Sequence, residues 1–117
     1  MRGPHPSSNF LTLSKAEKAA GIAIAVALKV PVPLRSLADQ VIRSAASVPA
    51  NLTEGAGRAG KDRAYHWRVS YASAKEVDTH LRLLLGAGVV NTAHTERALT
   101  LFDEVRAMTW RMLHPNL

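Results

Sequence analysis

Cysteine is absent from this 117-residue chain, which excludes disulfides, a thiolate nucleophile and zinc held by thiolates. Aromatic residues are scarce, at 5%, while alanine is abundant, a balance that suits closely packed helices better than a sheet. No apolar run approaches the roughly 20 residues needed to span a bilayer. The nearest is Ala19–Leu28, AAGIAIAVAL. Basic residues before it and small residues at Ala25 and Ala27 give it a signal-like look. Against that, Ser14-Lys15-Ala16-Glu17 fits a capping box, the start of a retained helix. Acidic residues are also in the minority: 9 Asp and Glu face 15 Lys and Arg, for a formal charge of +6. Such an excess favours polyanionic partners, although solubility alone also accounts for it.

The hydrophobic pattern predicts one domain of four helices, at residues 14–114, behind a flexible arm at residues 1–13. The first helix is expected from Ser14 to Val30, ended by Pro31 and Pro33. Its middle is apolar nearly all round, so it should be covered on more than one side. The second runs from Leu34 to Glu54, with Val41, Ala45, Val48 and Leu52 on one face. Pro49 removes a backbone donor and crowds the carbonyl one turn earlier, which predicts a kink. Gly55 and Gly57 are read as left-handed residues ending this helix. Glu54 sits where the helix dipole disfavours an acid, and Arg58, four residues on, is its local partner.

The third helix is expected from Lys61 to Leu85. Trp67, Ser70, Ala74, Val77, Leu81 and Leu85 form its core side. Tyr65, Val69, Ala72 and Leu83 group nearly opposite, and two apolar faces on one helix point to association. Asn91 or Thr92 caps the fourth helix, which extends to Leu113 and buries Ala98, Leu101, Phe102, Val105, Thr109 and Met112. Trp110 lies off that stripe, as an edge of the core, an interface anchor or a base-stacking platform. Short links between the helices predict an all-α, antiparallel up-and-down four-helix bundle.

Charge is patterned most clearly on the third helix, where Lys61, Arg68, Lys75 and Arg82 recur every seven residues. At 1.5 Å per residue they stand about 10 Å apart, and the row winds by about 20° per heptad. Arg58 and Arg63 thicken its N-terminal end. Such a strip can follow a phosphate backbone, or it can be a solvated or subunit-pairing face. Asp78 is spaced for ion pairs with Lys75 and Arg82. Asn51 and Glu54 lie beside Pro49, within reach of the backbone groups it frees, and a structural role outweighs ligand binding there. Catalytic patterns are missing. His66 and His80 stand fourteen residues apart on one helix, about 21 Å, too far to share a metal. His94 falls towards the core side of the fourth helix. No glycine-rich phosphate loop follows a strand, because no strand is evident. Neither catalysis nor a metal or cofactor is expected.

Two blocks carry a family likeness. Gln40, Arg43, Ala45, Ser47-Val48-Pro49, Asn51, Glu54-Gly55 and Gly57-Arg58 form the first. Ser73-Ala74, Glu76, Thr79, Leu81 and Gly88 form the second. In this order and separation they resemble the bacterial four-helix-bundle proteins, also called the 23S rRNA intervening-sequence protein family. The likeness covers about half the chain, from Leu37 to Val90. Departures are Ala72 for a glycine, Asp78 for a glutamate, His80 for a glutamine and Val89 for an aromatic. The link Val30-Pro31-Val32-Pro33 is also shortened. The resemblance implies a homo-oligomeric ring, a pentamer, in the bacterial cytoplasm, where the glycosylation sequon Asn51-Leu52-Thr53 has no role. It also implies RNA or DNA as partner. A more distant relative is the accessory protein of diversity-generating retroelements, which works with a reverse transcriptase. On that reading Arg58, Lys61, Arg63, Arg68, Lys75 and Arg82 contact phosphates, while Pro49, Asn51, Glu54, Gly55 and Gly57 shape the bend. The alternative is a protein-only oligomeric adaptor whose basic strip meets acidic surfaces.

Overall fold

The structure, a computed structural model, describes residues 6–117. Helix α1 spans Pro6–Ala27, α2 Arg35–Ala56, α3 Gly60–Gly86 and α4 Thr92–Leu113, with a short 3-10 turn at Val32–Leu34 before α2. The start of α1 corrects the expected boundary at Ser14. Ser14 lies inside the helix with an exposed side chain, so it caps nothing. Thr12, expected in the arm, is buried, and its hydroxyl meets the Met112 sulfur at 3.4 Å. Proline is tolerated in a first helical turn because its missing N–H has no partner there anyway. Residues 1–5 of the expected arm lie outside the described residues.

Helix α1 packs on α2 and α4, and α3 packs on the same two, giving a body 51 Å long and 23 by 21 Å across. Residue pairs set the register. Ser47 meets Ser73, Ser70 meets Val48 and Trp67 meets Leu52, so α2 and α3 run in opposite senses. Thr12–Met112 and Lys15–Glu104 place α1 against α4 in the same way. The core is aliphatic around two large rings, Phe102, which is fully buried, and Trp67, at 6% exposure. Ala16, Ala19, Ala20 and Ala23 line the inner side of α1. Alanine loses no side-chain freedom in a helix and lets neighbouring helices approach closely.

Val41, Ala45, Val48 and Leu52 are buried on α2, as their spacing predicts. The core side of α3 differs in one place: Leu84 is fully buried and Leu85 only half-buried. Trp67, Ala74 and Leu81, then Ser70, Val77 and Leu84, keep a seven-residue step. That step follows a neighbouring helix better than a straight 100° count. On α4, Thr95 and Leu99 join the buried stripe, while Leu101 and Met112 are half-buried.

The glycines are a second correction. Gly57 has φ −83°, and the left-handed positions are Gly60 (+59°), the first residue of α3, and Gly88 (+71°), in the link after it. Gly55 is buried in the last turn of α2. A β-carbon there would stand 2.5 Å from the Trp67 ring. Close approach of α3, not a turn, requires that glycine.

Surface apolarity is uneven. Ile22 and Ile24 are half-buried against the chain's own core, and Val69 is half-buried on α3. Tyr65 (59%) and Leu83 (55%) are exposed on α3, as are Phe10, Leu11 and Leu28 on and just after α1. Among the described residues, no helix is long and apolar enough to cross a membrane.

Candidate nucleic-acid interface

Lys61, Arg68, Lys75 and Arg82 are all exposed along α3, and Arg58 is exposed in the α2–α3 turn. Their surroundings divide them. Among the described residues, Lys61, Arg68 and Lys75 have no carboxylate within ion-pair distance. Arg58 donates to Glu54 Oε2 at 2.9 Å from Nη2, the pair expected from their spacing. Exposed i,i+4 pairs are worth about 0.3–0.5 kcal/mol, so this one opens easily for an incoming anion.

Arg82 is held differently. Its Nε donates to Asp78 Oδ1 at 2.7 Å, while Asp78 Oδ2 faces Arg106 Nη1 at 3.4 Å. That second contact is electrostatic only, since Oδ2 is buried and accepts no hydrogen bond. Arg106 in turn donates to Asp103 at 2.7 Å. The Arg82 pKa is pushed up by its hydrogen bond to Asp78 and then by that carboxylate's charge. Its cation persists but is already neutralised, so the open strip ends at Lys75. Asp78 pairs with both arginines and not with Lys75.

Arg63 leaves the strip altogether, against the expectation of a phosphate contact. Its Nε donates to Gly55 O at 3.1 Å and its Nη2 to Ala56 O at 3.3 Å, while the guanidinium lies 5.5 Å from the Trp67 ring centre. It ties α3 to the last carbonyls of α2, adding a second donor to Gly55 O, which also accepts from the Arg58 N–H at 3.1 Å. Arg63→Ala should therefore lower stability by about 1–2 kcal/mol in chemical denaturation and change nucleic-acid affinity less than twofold. A large affinity loss at unchanged stability would return Arg63 to the binding surface.

The family-like residues form a polar seam between α2 and α3. Asn51 Nδ2 donates to Ser47 O and Oγ, both at 3.0 Å, and Asn51 Oδ1 accepts from His66 Nδ1 at 3.0 Å. Ser47 and Ser73 hydroxyls meet at 2.8 Å. Asn51 was expected to bond a group freed by Pro49, which would be the Ala45 carbonyl. It bonds Ser47 instead and ties α2 to α3, and α2 itself runs on past Pro49 to Ala56. Polar networks satisfied in this way fix register. His66 and Ser73 are members that spacing alone did not reveal. Their seven-residue separation on α3, facing the four-residue Ser47/Asn51 pair on α2, is the available signal.

His94 is exposed rather than core-facing. Asn91 caps α4 by accepting from the His94 N–H at 2.8 Å, which fixes the residue in the solvent-facing first turn. His94 lines a cavity of about 620 Å³ with Ile22, Val26, Lys29, Val89 and Arg97, and no strip residue reaches it. Among the described residues no cluster of three His, Cys, Asp or Glu could hold a metal.

The fold and this surface define a class: a helical bundle carrying a cationic strip along one helix. The chain belongs to the 23S rRNA-intervening sequence protein family, whose family model matches residues 12–111. A solved structure described as a protein of unknown function from the S23 ribosomal protein family of Bacteroides thetaiotaomicron has a similar fold, with TM-score 0.82. The match covers 92% of this chain and 98% of that one at 15% identity, which speaks for the fold alone. No curated protein gives a significant match.

Proposed function

We propose that this protein is a non-catalytic, oligomeric cytoplasmic scaffold that holds RNA or DNA by its phosphates. The observation carrying this reading is the row Lys61, Arg68 and Lys75, exposed and without ion-pair partners among the described residues, on a chain of formal charge +6. Each step of about 10 Å corresponds to about three phosphates of one strand at 3.4 Å each. Arg58 extends the row after releasing Glu54, and Arg82 makes a weaker contribution. Phosphate contacts position a strand without reading its sequence.

Membership of a family named for the 23S rRNA intervening sequence supports RNA as the partner. Assembly supports the same reading, because a ring would multiply the strip. A shallow cleft of about 450 Å³ between α1 and α2, lined by Gly21, Ala46, Ala50 and Ile24, lets a neighbouring helix come close. A pentamer, the state implied by resemblance, would present five strips, and a reverse transcriptase is the kind of enzyme to which they could deliver a template. Multi-angle light scattering at micromolar concentration should give a closed oligomer, with Ala50→Asp, on the exposed side of the cleft, reducing it to a lone chain. A monomeric wild type would remove the ring.

Titration with RNA and DNA at 50 and 200 mM salt tests the binding itself. Affinity that falls steeply with salt supports the scaffold. Absence of binding at 50 mM supports a protein-only adaptor, a reading favoured by one observation: Arg82 already accommodates a carboxylate.

A further inference from the structure

We propose that a small cavity beside Arg68 is a stacking site for one unpaired nucleobase, so that the strip prefers single-stranded nucleic acid over duplex. The inference rests on the phosphate-binding reading and names its ligand class.

Arg68 lines a cavity of about 210 Å³ together with Tyr71, Trp110, Leu113 and His114. Trp110 is 42% exposed, although large aromatic rings are usually hidden when they serve only the core. It is held rigidly. The His114 ring stacks on it at 4.1 Å between centres and 25° between planes, and His114 Nδ1 donates to Trp110 O at 2.9 Å. Tyr71 and Trp110 also border a second cavity of about 610 Å³ that contains Arg111. Three aromatic side chains and three arginines, Arg68, Arg106 and Arg111, thus line the two cavities, with Asp103 in the larger one, where α3 faces the C-terminal end of α4.

The smaller cavity lies below the roughly 300–1,000 Å³ of sites for drug-sized ligands, a size suited to one flat ring between ring walls. Arg68 belongs both to this cavity and to the strip. A strand whose phosphates follow Lys61, Arg68 and Lys75 can therefore turn a base into the cavity without leaving its cations. Bases in a duplex are paired and stacked on one another and cannot enter. Basic tracks interleaved with aromatic platforms are the general solution for single strands, and they tolerate any sequence because every base has a π-face.

Trp fluorescence provides the readout, since Trp67 is buried and Trp110 is not. The full-length protein is titrated with a uridine 12-mer, a thymidine 12-mer and a 12-base-pair DNA duplex at 50 mM salt. The single strands should bind at least tenfold more tightly than the duplex and quench fluorescence. Trp110→Ala should weaken single-strand binding about tenfold, abolish the quenching and leave duplex binding unchanged. Its melting temperature and oligomeric state should match wild type, because the ring lies off the core stripe. Equal affinity for single strand and duplex, untouched by Trp110→Ala, overturns this inference while the phosphate-binding reading stands. No binding of any of the three ligands by wild type overturns both.

Discussion

Gly55→Ala should lower the stability of this bundle by about 3 kcal/mol, the upper end of typical overpacking costs. The added methyl would lie 2.5 Å from Trp67 Cδ1, 2.6 Å from Nε1 and 3.1 Å from Arg63 O. None of these neighbours is the loose end of a flexible chain. The indole is buried, its Nε1–H reaches Leu52 O at 3.4 Å, and the Arg63 guanidinium covers it. Relief must come from separating α2 and α3, which also strains the Asn51–His66 and Ser47–Ser73 contacts further along the same seam. For a chain of this length the loss corresponds to a fall in Tm of roughly 10 °C. Trp67→Ala alone should cost about 3–5 kcal/mol through the cavity it leaves. The double variant should cost less than the two singles together, because the methyl then enters empty space. A Gly55→Ala protein within 0.5 kcal/mol of wild type would show that the ring does not seal this turn.

Removing together the three strip cations without an ion pair among the described residues, Lys61→Ala/Arg68→Ala/Lys75→Ala, should leave folding nearly intact, since exposed substitutions usually change stability by less than about 0.5 kcal/mol. Binding should collapse. Each phosphate contact contributes about 0.7 to the salt slope on a single strand, so the slope should fall by about 2. Because counterion release vanishes near 1 M salt, the same slope predicts a loss of roughly 500-fold at 50 mM and roughly 30-fold at 200 mM. Arg82→Ala should cost far less, its charge being already neutralised by Asp78. If Arg82→Ala and the triple variant weakened binding equally, the division of the strip at Lys75 would be wrong.

Legibility differed from element to element for identifiable reasons. The buried face of α2 could be read from Val41, Ala45, Val48 and Leu52, because a repeat near 3.6 needs no knowledge of what it packs against. Asn91 as the cap of α4 and Glu54–Arg58 as an ion pair are likewise local, each decided within four residues. The start of α1 was misread because Ser14 to Glu17 satisfies a capping pattern wherever it occurs, including inside a longer helix. Gly55 was misread because a glycine near a helix end ordinarily serves a turn. Its actual requirement comes from an indole twelve residues away on another helix. Arg63 looked like a member of the basic strip until α3 packed on α2 and placed it against the Gly55 and Ala56 carbonyls.

From the amino-acid order alone came the number and type of the helices, the face that α2 buries and the seven-residue row of cations on α3. All of these are properties of one helix, set by spacing and side-chain chemistry. Tertiary structure alone decided which cations remain open, which glycine is a packing contact, that Asn51 meets His66, and that Arg68 and Trp110 line one cavity. Those partners lie on different helices, and their meeting depends on the register of α2, α3 and α4. No single helix carries that information.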